Sequence, residues 1–458
     1  MRLNYALGWL AAADNQAPTT QSSTSSGPWR LSEALGLPDH IRITGSHRQR
    51  YESVINQFRS GREGDAHLWP IRTLLHGQYH TEDFVIGAEL QDSRAYDDNN
   101  NTPVGTSSVN PVELLQAYVK VPFESDEYKG HVRGGRITVD FGSRRLVARN
   151  RYRNTINAFT GLEGEVQHSS GWRAQWMFAL PIQRRPLDSS KLRDNKAEFD
   201  REDEEVFFWG LFARSPESGD GVRGEFYFFG LSEEDTSDRS TRDRELYTPG
   251  CRFYREPSAE NVDFQVETVL QFGNSRLSTA PTAARLEHFA YYLHGTLGYT
   301  TAAEWSPRIA LQFDYASGDR RPGDSRNGRF DTLFGARRFE YGPTGIYGAF
   351  ARSNIMSPGL RIEVKPHSTV SSFLAYRPFW LAAQRDAWTT SGFQDPGGDS
   401  GDFLGHQLDW RLRWDIIPKS VRFECGCAYL IRGEFPRDVA GGNSGDPLAM
   451  YVQTAWTF

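Results

Sequence analysis

HVRGGRITVDF, His131–Phe141, is the stretch on which the fold turns, and it runs directly into GSRRLVARNRYRN, Gly142–Asn154. Ile137, Val139 and Phe141 alternate there with Arg136, Thr138 and Asp140. A period of two puts successive side chains on opposite sides of a pleated strand, so this strand has one apolar face and one charged face. The continuation packs Arg144, Arg145, Arg149, Arg151 and Arg153 into a short loop. Guanidinium groups that close repel one another, so the loop needs anions nearby, either carboxylates of the protein or a ligand.

The same period recurs outward in both directions. In IRITGSHRQRYE, Ile41 and Ile43 share one face while Arg42, Thr44, Ser46, Arg48 and Arg50 share the other. Further strands are expected over 67–80, 83–94, 112–123, 157–167, 172–184, 205–215, 222–233 and 244–255. The series continues over 262–274, 286–300, 307–319, 355–365, 369–380, 404–416, 421–432 and 447–458. That is about 18 strands with no helical pattern between them beyond a turn near Leu31–Leu35, so an all-antiparallel sheet is indicated. An even number is what bacterial outer-membrane barrels use.

The connections carry an independent signal. Long polar ones (95–110, 186–203, 320–354, 382–403, 433–446) follow odd-numbered strands, and tight ones (168–171, 366–368, 418–420) lie between. Alternating long and short connections mark a transmembrane antiparallel β-barrel with long extracellular loops and short periplasmic turns. The final segment agrees: Met450, Val452, Trp456 and Phe458 share a face and the chain ends on an aromatic residue.

Composition narrows the class. Phe, Tyr and Trp number 29, 19 and 12, yet mean hydropathy is −0.59. A membrane barrel reconciles the two, because it needs apolar residues only at alternate strand positions plus aromatic girdles. No run approaches the ~18 apolar residues of a spanning helix. A formal charge of −6, with no separate basic block, argues against nucleic-acid binding. The cations are 46 Arg and 6 Lys. Arginine's planar fork matches carboxylates, although codon bias would also produce such a skew. The three cysteines (Cys251, Cys425, Cys427) form no CxxC, and Asp314, Asp319, Asp324 and Asp331 lack calcium-loop spacing, so no metal or cofactor is expected. GxSxG, HExxH and P-loop motifs are absent.

Residues 1–13 (MRLNYALGWLAAA) read as a truncated signal peptide, 14–37 as a flexible periplasmic tail, and 38–458 as the barrel. Within the barrel the register predicts that Arg48, Arg50, Arg72 and Arg136 face inward, with Glu89 and Asp140 on the same registers. A lipid-facing arginine at mid-membrane costs roughly 2–4 kcal/mol. An inward ladder of arginines with interspersed carboxylates would let a polyanion exchange weak, repeated contacts. The competing reading is a closed salt-bridge network filling the lumen. In 320–354, Arg337, Arg338 and Arg352 with Phe334, Phe339 and Tyr341 suit a lid folded into the barrel mouth, aromatic faces meeting sugar rings and arginines meeting carboxylates. An exposed loop held by its own Arg–Asp pairs would carry the same residues.

LPDHIRITGSHRQRYE (Leu37–Glu52), AELQDSRA (Ala88–Ala95), GGRITVDFGSRRLVARNRYRNTINAFTGLEG (Gly134–Gly164) and FDYASGDRRPGDSRNGRFDTLFG (Phe313–Gly335) together resemble the alginate export family of Gram-negative outer-membrane proteins. The resemblance implies an 18-stranded barrel whose electropositive lumen passes a polyuronate. It carries binding roles onto Arg136, Arg144, Arg145, Arg153 and Asn154 of the central motif, and onto Glu89 and Arg94. The family's exporter plugs its pore with a long periplasmic loop before the last hairpin, where this chain has only Pro418–Ser420. The expectation is a monomeric passive channel for an anionic polysaccharide, set among outer-membrane lipid, without catalysis and served by a periplasmic export partner. An envelope hydrolase built into the barrel, or a structural barrel with a closed lumen, are the alternatives.

Overall fold

The computed structural model describes residues 30–458 apart from 203, 236–239, 277 and 443–444. The expected signal peptide, 1–13, and residues 14–29 of the expected tail lie outside the described residues. The end of that tail is a one-turn helix, Leu31–Ala34, docked under the short-turn end of the barrel. Arg30 Nη1 donates to the Lys419 carbonyl and Ser420 Oγ, each at 3.3 Å, and Ser32 Oγ donates to the Ile43 carbonyl at 2.7 Å.

Twenty strands form one sheet, and two of them (Arg201–Glu202, Arg326–Asn327) are two-residue segments outside the wall. The wall begins with β1 (Ile41–Ile55), β2 (Ala66–His80), β3 (Val85–Tyr96), β4 (Asn110–Glu124), β5 (Tyr128–Ile137) and β6 (Phe159–His168). It continues with β7 (Arg173–Gln183), β8 (Val206–Arg214), β9 (Val222–Glu233), β10 (Glu245–Arg255), β11 (Val262–Arg276) and β12 (Arg285–Thr300). It ends with β13 (Arg308–Ala316), β14 (Ile355–His367), β15 (Val370–Trp380), β16 (Phe403–Ile417), β17 (Val421–Arg432) and β18 (Leu448–Thr457). Each strand pairs antiparallel with the next, and β18 returns to β1 from Ser46↔Thr457 to Ile55↔Leu448. The eighteen-stranded barrel is therefore closed, which removes the free strand edges that a bilayer cannot hydrogen-bond. The terminal Phe458 completes the seam: its N–H and carbonyl both bond Gly45, and a Cβ at Gly45 would meet the Phe458 ring at 2.3 Å.

Alternation along the wall is strict where lipid is the solvent. In β12, Leu293 and Leu297 are exposed while Tyr292, His294 and Thr296 are buried. Leu90, Leu162, Leu211, Leu270 and Leu311 continue the outward apolar band. Connections after odd-numbered strands are long (317–354 after β13) and those after even-numbered ones short (368–369 after β14), as the sequence pattern requires.

The sequence expectation departs from the structure at β5, which ends at Ile137 instead of continuing to Phe141. Ile137, Val139 and Phe141 do not face lipid; all three are buried in the interior apolar cluster. The inner face of β8 and β9 is aromatic, and Phe141 meets Phe212 and Phe229 at centroid distances of 6.1 and 5.5 Å. An apolar surface inside the wall gives Val139 and Phe141 somewhere other than lipid to go. The chain therefore turns inward over residues 138–158.

Candidate functional site

Two connections run inside the wall as straps. The first, residues 138–158, is gripped by arginines of the first two strands. Arg48 donates to the Arg151, Tyr152 and Arg153 carbonyls at 3.0, 3.0 and 3.1 Å. Arg50 reaches the Tyr152 carbonyl at 2.9 Å, and Arg72 reaches the Arg151 and Arg153 carbonyls, each at 2.9 Å. Asn154 staples the strap laterally: its Nδ2 donates to the carbonyls of Ile71, Arg94 and Ser108 at 3.2, 3.0 and 2.7 Å, and its Oδ1 accepts from Arg48 at 3.0 Å. The second strap, residues 317–354, touches Glu52 of β1, Gln271 of β11, Arg377 of β15, and Asp409 and Tyr451 on β16 and β18. Only a segment enclosed by the wall reaches strands so far apart around it.

The straps meet edge to edge. Phe334 N–H donates to the Leu146 carbonyl at 2.9 Å and Ala336 N–H to the Arg144 carbonyl at 3.0 Å. Gly335 permits this approach, since a Cβ there would lie 1.7 Å from the Arg145 carbonyl oxygen.

Two arginine groups result, differently neutralised. In the first, Glu340, on the one-turn helix Arg338–Tyr341, accepts from Arg145 Nε at 2.9 Å and pairs with Arg352. Arg145 Nη1 also holds Glu267 of β11 at 2.5 Å, and Arg352 donates to the Ala336 and Arg145 carbonyls at 2.6 and 3.1 Å. Burial works against the Arg145 cation, but Glu340 and Glu267 raise its pKa well above the usual guanidinium range. Burial likewise opposes the Glu340 anion, and Arg352 with Arg145 turns the balance, so its carboxyl stays low. Beside this centre Arg338 pairs with Asp409 at 3.2 Å, and Arg377 of β15 with Asp314 of β13 at 2.7 Å. Tyr341 is packed below Arg352 and Arg377 with its hydroxyl unbonded.

The second group lines a cavity of about 300 Å³ between the straps, bounded by Asn150, Arg153, Asn157, Arg184, Thr332, Leu333, Phe334, Gly335, Arg337 and Thr344. No carboxylate is among those residues. Arg153 donates to Asn157 Oδ1, and Arg184 to the same oxygen at 3.0 Å and to the Thr106 carbonyl at 3.0 Å. The Arg337 guanidinium has no hydrogen bond or ion pair to any described residue, its backbone carbonyl alone accepting from the Tyr341 N–H at 3.2 Å. Burial, and then the charges of Arg184 and Arg337, hold the Arg153 guanidinium well below its usual range. Burial, with Arg352 adding repulsion, lowers Arg337 to about 10. A second cavity of about 290 Å³ shares Arg337 and Thr332 and adds Arg242, Arg244, His288, Arg329 and Asp331. There Arg244 pairs with Asp331 at 2.7 Å, and Arg329 pairs with Asp386.

The remaining expected site residues divide. Glu89 lies inside and takes Arg149 of the first strap at 2.6 Å. Asp140 is not on a strand at all: its carboxylate accepts the Arg149 N–H at 2.7 Å and shapes the inward turn. Arg144 is buried with its guanidinium 4.4 Å from the Phe339 ring centre. Arg136 falls on the face opposite to the one expected. It pairs in register with Ala117 and Thr160, sharing the outward side with the exposed Val132 and Leu162, and its charge is met by Glu113 at 2.5 Å. Arg94 shares the outward face of Leu90 and pairs with Asp92 at 3.0 Å. Sequence reading missed Arg184 and the partners Glu267, Glu340 and Asp409. The only local sign of Arg184 is the Arg184–Arg185 doublet at the end of β7.

A Thr–His–Asp chain exists inside the wall: His294 Nδ1 lies 2.9 Å from Asp314 Oδ1, and its Nε2 lies 3.0 Å from Thr296 Oγ1. His294 and Asp314 are fully buried, Asp314 is also held by Arg377 and Tyr292, and none of these residues lines either cavity.

A closed antiparallel barrel with an outward apolar band, long loops at one end and interior straps defines an outer-membrane barrel channel of a Gram-negative bacterium. The match to the alginate export family covers residues 39–448, and the chain belongs to that family. Three similar solved structures come from Pseudomonas aeruginosa. OccK9 (OpdG) has a TM-score of 0.60 at 11% identity, covering 91% of this chain and 98% of that one. OpdK with vanillate has a TM-score of 0.58 at 10% identity over 91% and 98%. The outer membrane protein OprD has a TM-score of 0.56 at 11% identity over 92% and 93%. At these identities the likeness is one of fold. No curated protein sequence matches the chain.

Proposed function

We propose that the channel passes an alginate-like polyuronate passively, handling its carboxylates with arginines inside the lumen and carrying out no chemistry. The observation that carries the reading is the placement of Arg153, Arg184 and Arg337 around an interior cavity without a carboxylate. Family membership supplies the class of cargo, and with Arg94 paired to Asp92 and Arg136 to Glu113, the cavity arginines are where unmatched positive charge collects. A polyanion moving through such a site exchanges carboxylates between guanidinium forks, each contact favourable yet replaceable. The protein acts as a monomer in outer-membrane lipid and receives its cargo from a periplasmic partner.

The test is a planar bilayer holding the refolded protein, with alginate added to one side. The reading predicts anion-selective current that alginate occludes and that neutral dextran of equal length does not. A barrel that conducts without discriminating alginate from dextran contradicts it. A barrel without current supports the closed structural reading, in which the Arg145–Glu340–Arg352 centre is a permanent plug.

A further inference from the structure

The cavity between the straps has a composition that a generic positive lumen does not need. Arg153, Arg184 and Arg337 supply three cations with no carboxylate among the lining residues. Elsewhere inside this barrel buried arginines are met by acids, as Arg145 is by two, Arg308 by Asp263 and Glu363 and Arg413 by Glu424, or, as Arg48 and Arg72 are, by the carbonyls of the first strap. Arg153, Arg184 and Arg337 are half-buried, and withdrawing charge from water without a paired acid is expensive, so three around one space mark a place where an anion belongs. The rest of the lining is uncharged and mixed. Asn150, Asn157, Thr332 and Thr344 offer amide and hydroxyl groups, and Phe334 contributes an aromatic ring, fixed edge-on against Phe159 and Phe208 at 5.2 and 5.1 Å.

We infer that this cavity is a discrete binding station for a single uronate ring, its carboxylate taken by Arg153, Arg184 and Arg337 and its hydroxyls by the surrounding amides and hydroxyls. The inference rests on the channel reading and narrows it: recognition is set by one ring, not by the length of the chain to which that ring belongs. Three features support the size and the class. A volume of about 300 Å³ lies at the low end of the roughly 300–1,000 Å³ typical of small-molecule sites, room for one ring and not for several. Three guanidinium groups around one space suit a carboxylate, which accepts at two oxygens and four lone-pair sites. The polar groups outnumber the aromatic one, which favours a hydroxylated ring over an aromatic acid. Arg337 also borders the second cavity, where Arg244 and Arg329 are already paired. It is the one cation common to both spaces, so a carboxylate leaving the first cavity stays within reach of it.

Isothermal titration of the detergent-solubilised, refolded barrel with glucuronate, glucose and an alginate oligomer tests this directly. Glucuronate binds saturably, glucose does not, and the oligomer's affinity per chain end stays within about threefold of the monosaccharide's. Arg337→Gln weakens glucuronate binding about tenfold or more, a loss of about 1.4 kcal/mol, while Arg337→Lys retains part of it. Arg337 has no partner to lose, so this variant folds as the parent does, which heat-modifiable gel migration checks. Arg184→Gln gives the same loss from the other wall. Oligomer binding without glucuronate binding overturns the single-ring station and leaves the channel reading standing. Glucuronate binding unchanged by both variants also overturns it. Neither sugar acid binding, with alginate failing to occlude current, overturns both.

Discussion

Two arginine groups sit about the same pair of straps, and their environments are opposite. Arg145 and Arg352 share Glu340 and Arg145 also holds Glu267, whereas Arg153, Arg184 and Arg337 line a cavity with no acid among its lining residues. Arg145 and Arg352 are buried and the other three half-buried, and the two groups differ further in who supplies the counter-charge. In the first the fold supplies it, so those arginines are spent on holding the straps together. In the second no carboxylate lines the cavity, Asp200 acting on Arg184 alone and from outside it, and the charge stays available to a solute.

The comparison breaks most severely at Arg145. Replacing it by Ala leaves Glu267 buried without its cation and Glu340 with Arg352 alone, and losing one partner of a buried pair costs about 3–5 kcal/mol. Urea unfolding of the refolded barrel is expected to show that loss, and a midpoint within error of the parent would mean the centre is not what locks the straps. Asn154→Ala removes the three Nδ2 bonds to Ile71, Arg94 and Ser108, an effect of about 1–3 kcal/mol. Limited proteolysis should then cut within 138–158 while the wall stays intact. Resistance equal to the parent's would show that the arginine grip of β1 and β2 suffices alone.

The pattern of strands was legible because lipid enforces it: wherever one face meets the bilayer, apolar residues recur every second position, as in β12. Loop alternation was legible for the same topological reason. The inward turn at Thr138 was not, because Ile137, Val139 and Phe141 look identical whether their apolar face meets lipid or the aromatic inner wall of Phe212 and Phe229. That ambiguity also reversed the side assigned to Arg136. The arginine-rich motif itself was readable as a cluster needing anions. Which of its members are neutralised was not, since Arg145 draws its acids from Glu267 and Glu340, far along the chain, and Arg153 draws none.

A smaller effect should appear with pH. Asp200, in the connection 184–205, is pushed up to about 6, first by burial and then by the neighbouring Glu113. A raised carboxyl pKa means that the folded loop holds the proton better than the unfolded one. The stabilisation is therefore full below the ordinary carboxylate range and is lost as pH rises through about 6. Hydrogen exchange in 184–205, corrected for its intrinsic rate, is expected to speed up from pH 5 to pH 7, and Asp200→Asn should abolish the change. Exchange that does not depend on pH would contradict the assignment. Smallest of all is the stability effect of Arg337→Gln, expected within about 0.5 kcal/mol of the parent because no bond is lost. A drop comparable to that of Arg145→Ala would mean that Arg337 is structural after all.

The most direct measurement is the reversal potential of single channels in a salt gradient, comparing the parent with the Arg184→Gln, Arg337→Gln double variant. The account predicts an anion-selective parent and a double variant whose reversal potential moves towards zero with conductance retained. Equal reversal potentials in the two proteins would contradict it, and would assign selectivity to arginines that the fold has already neutralised.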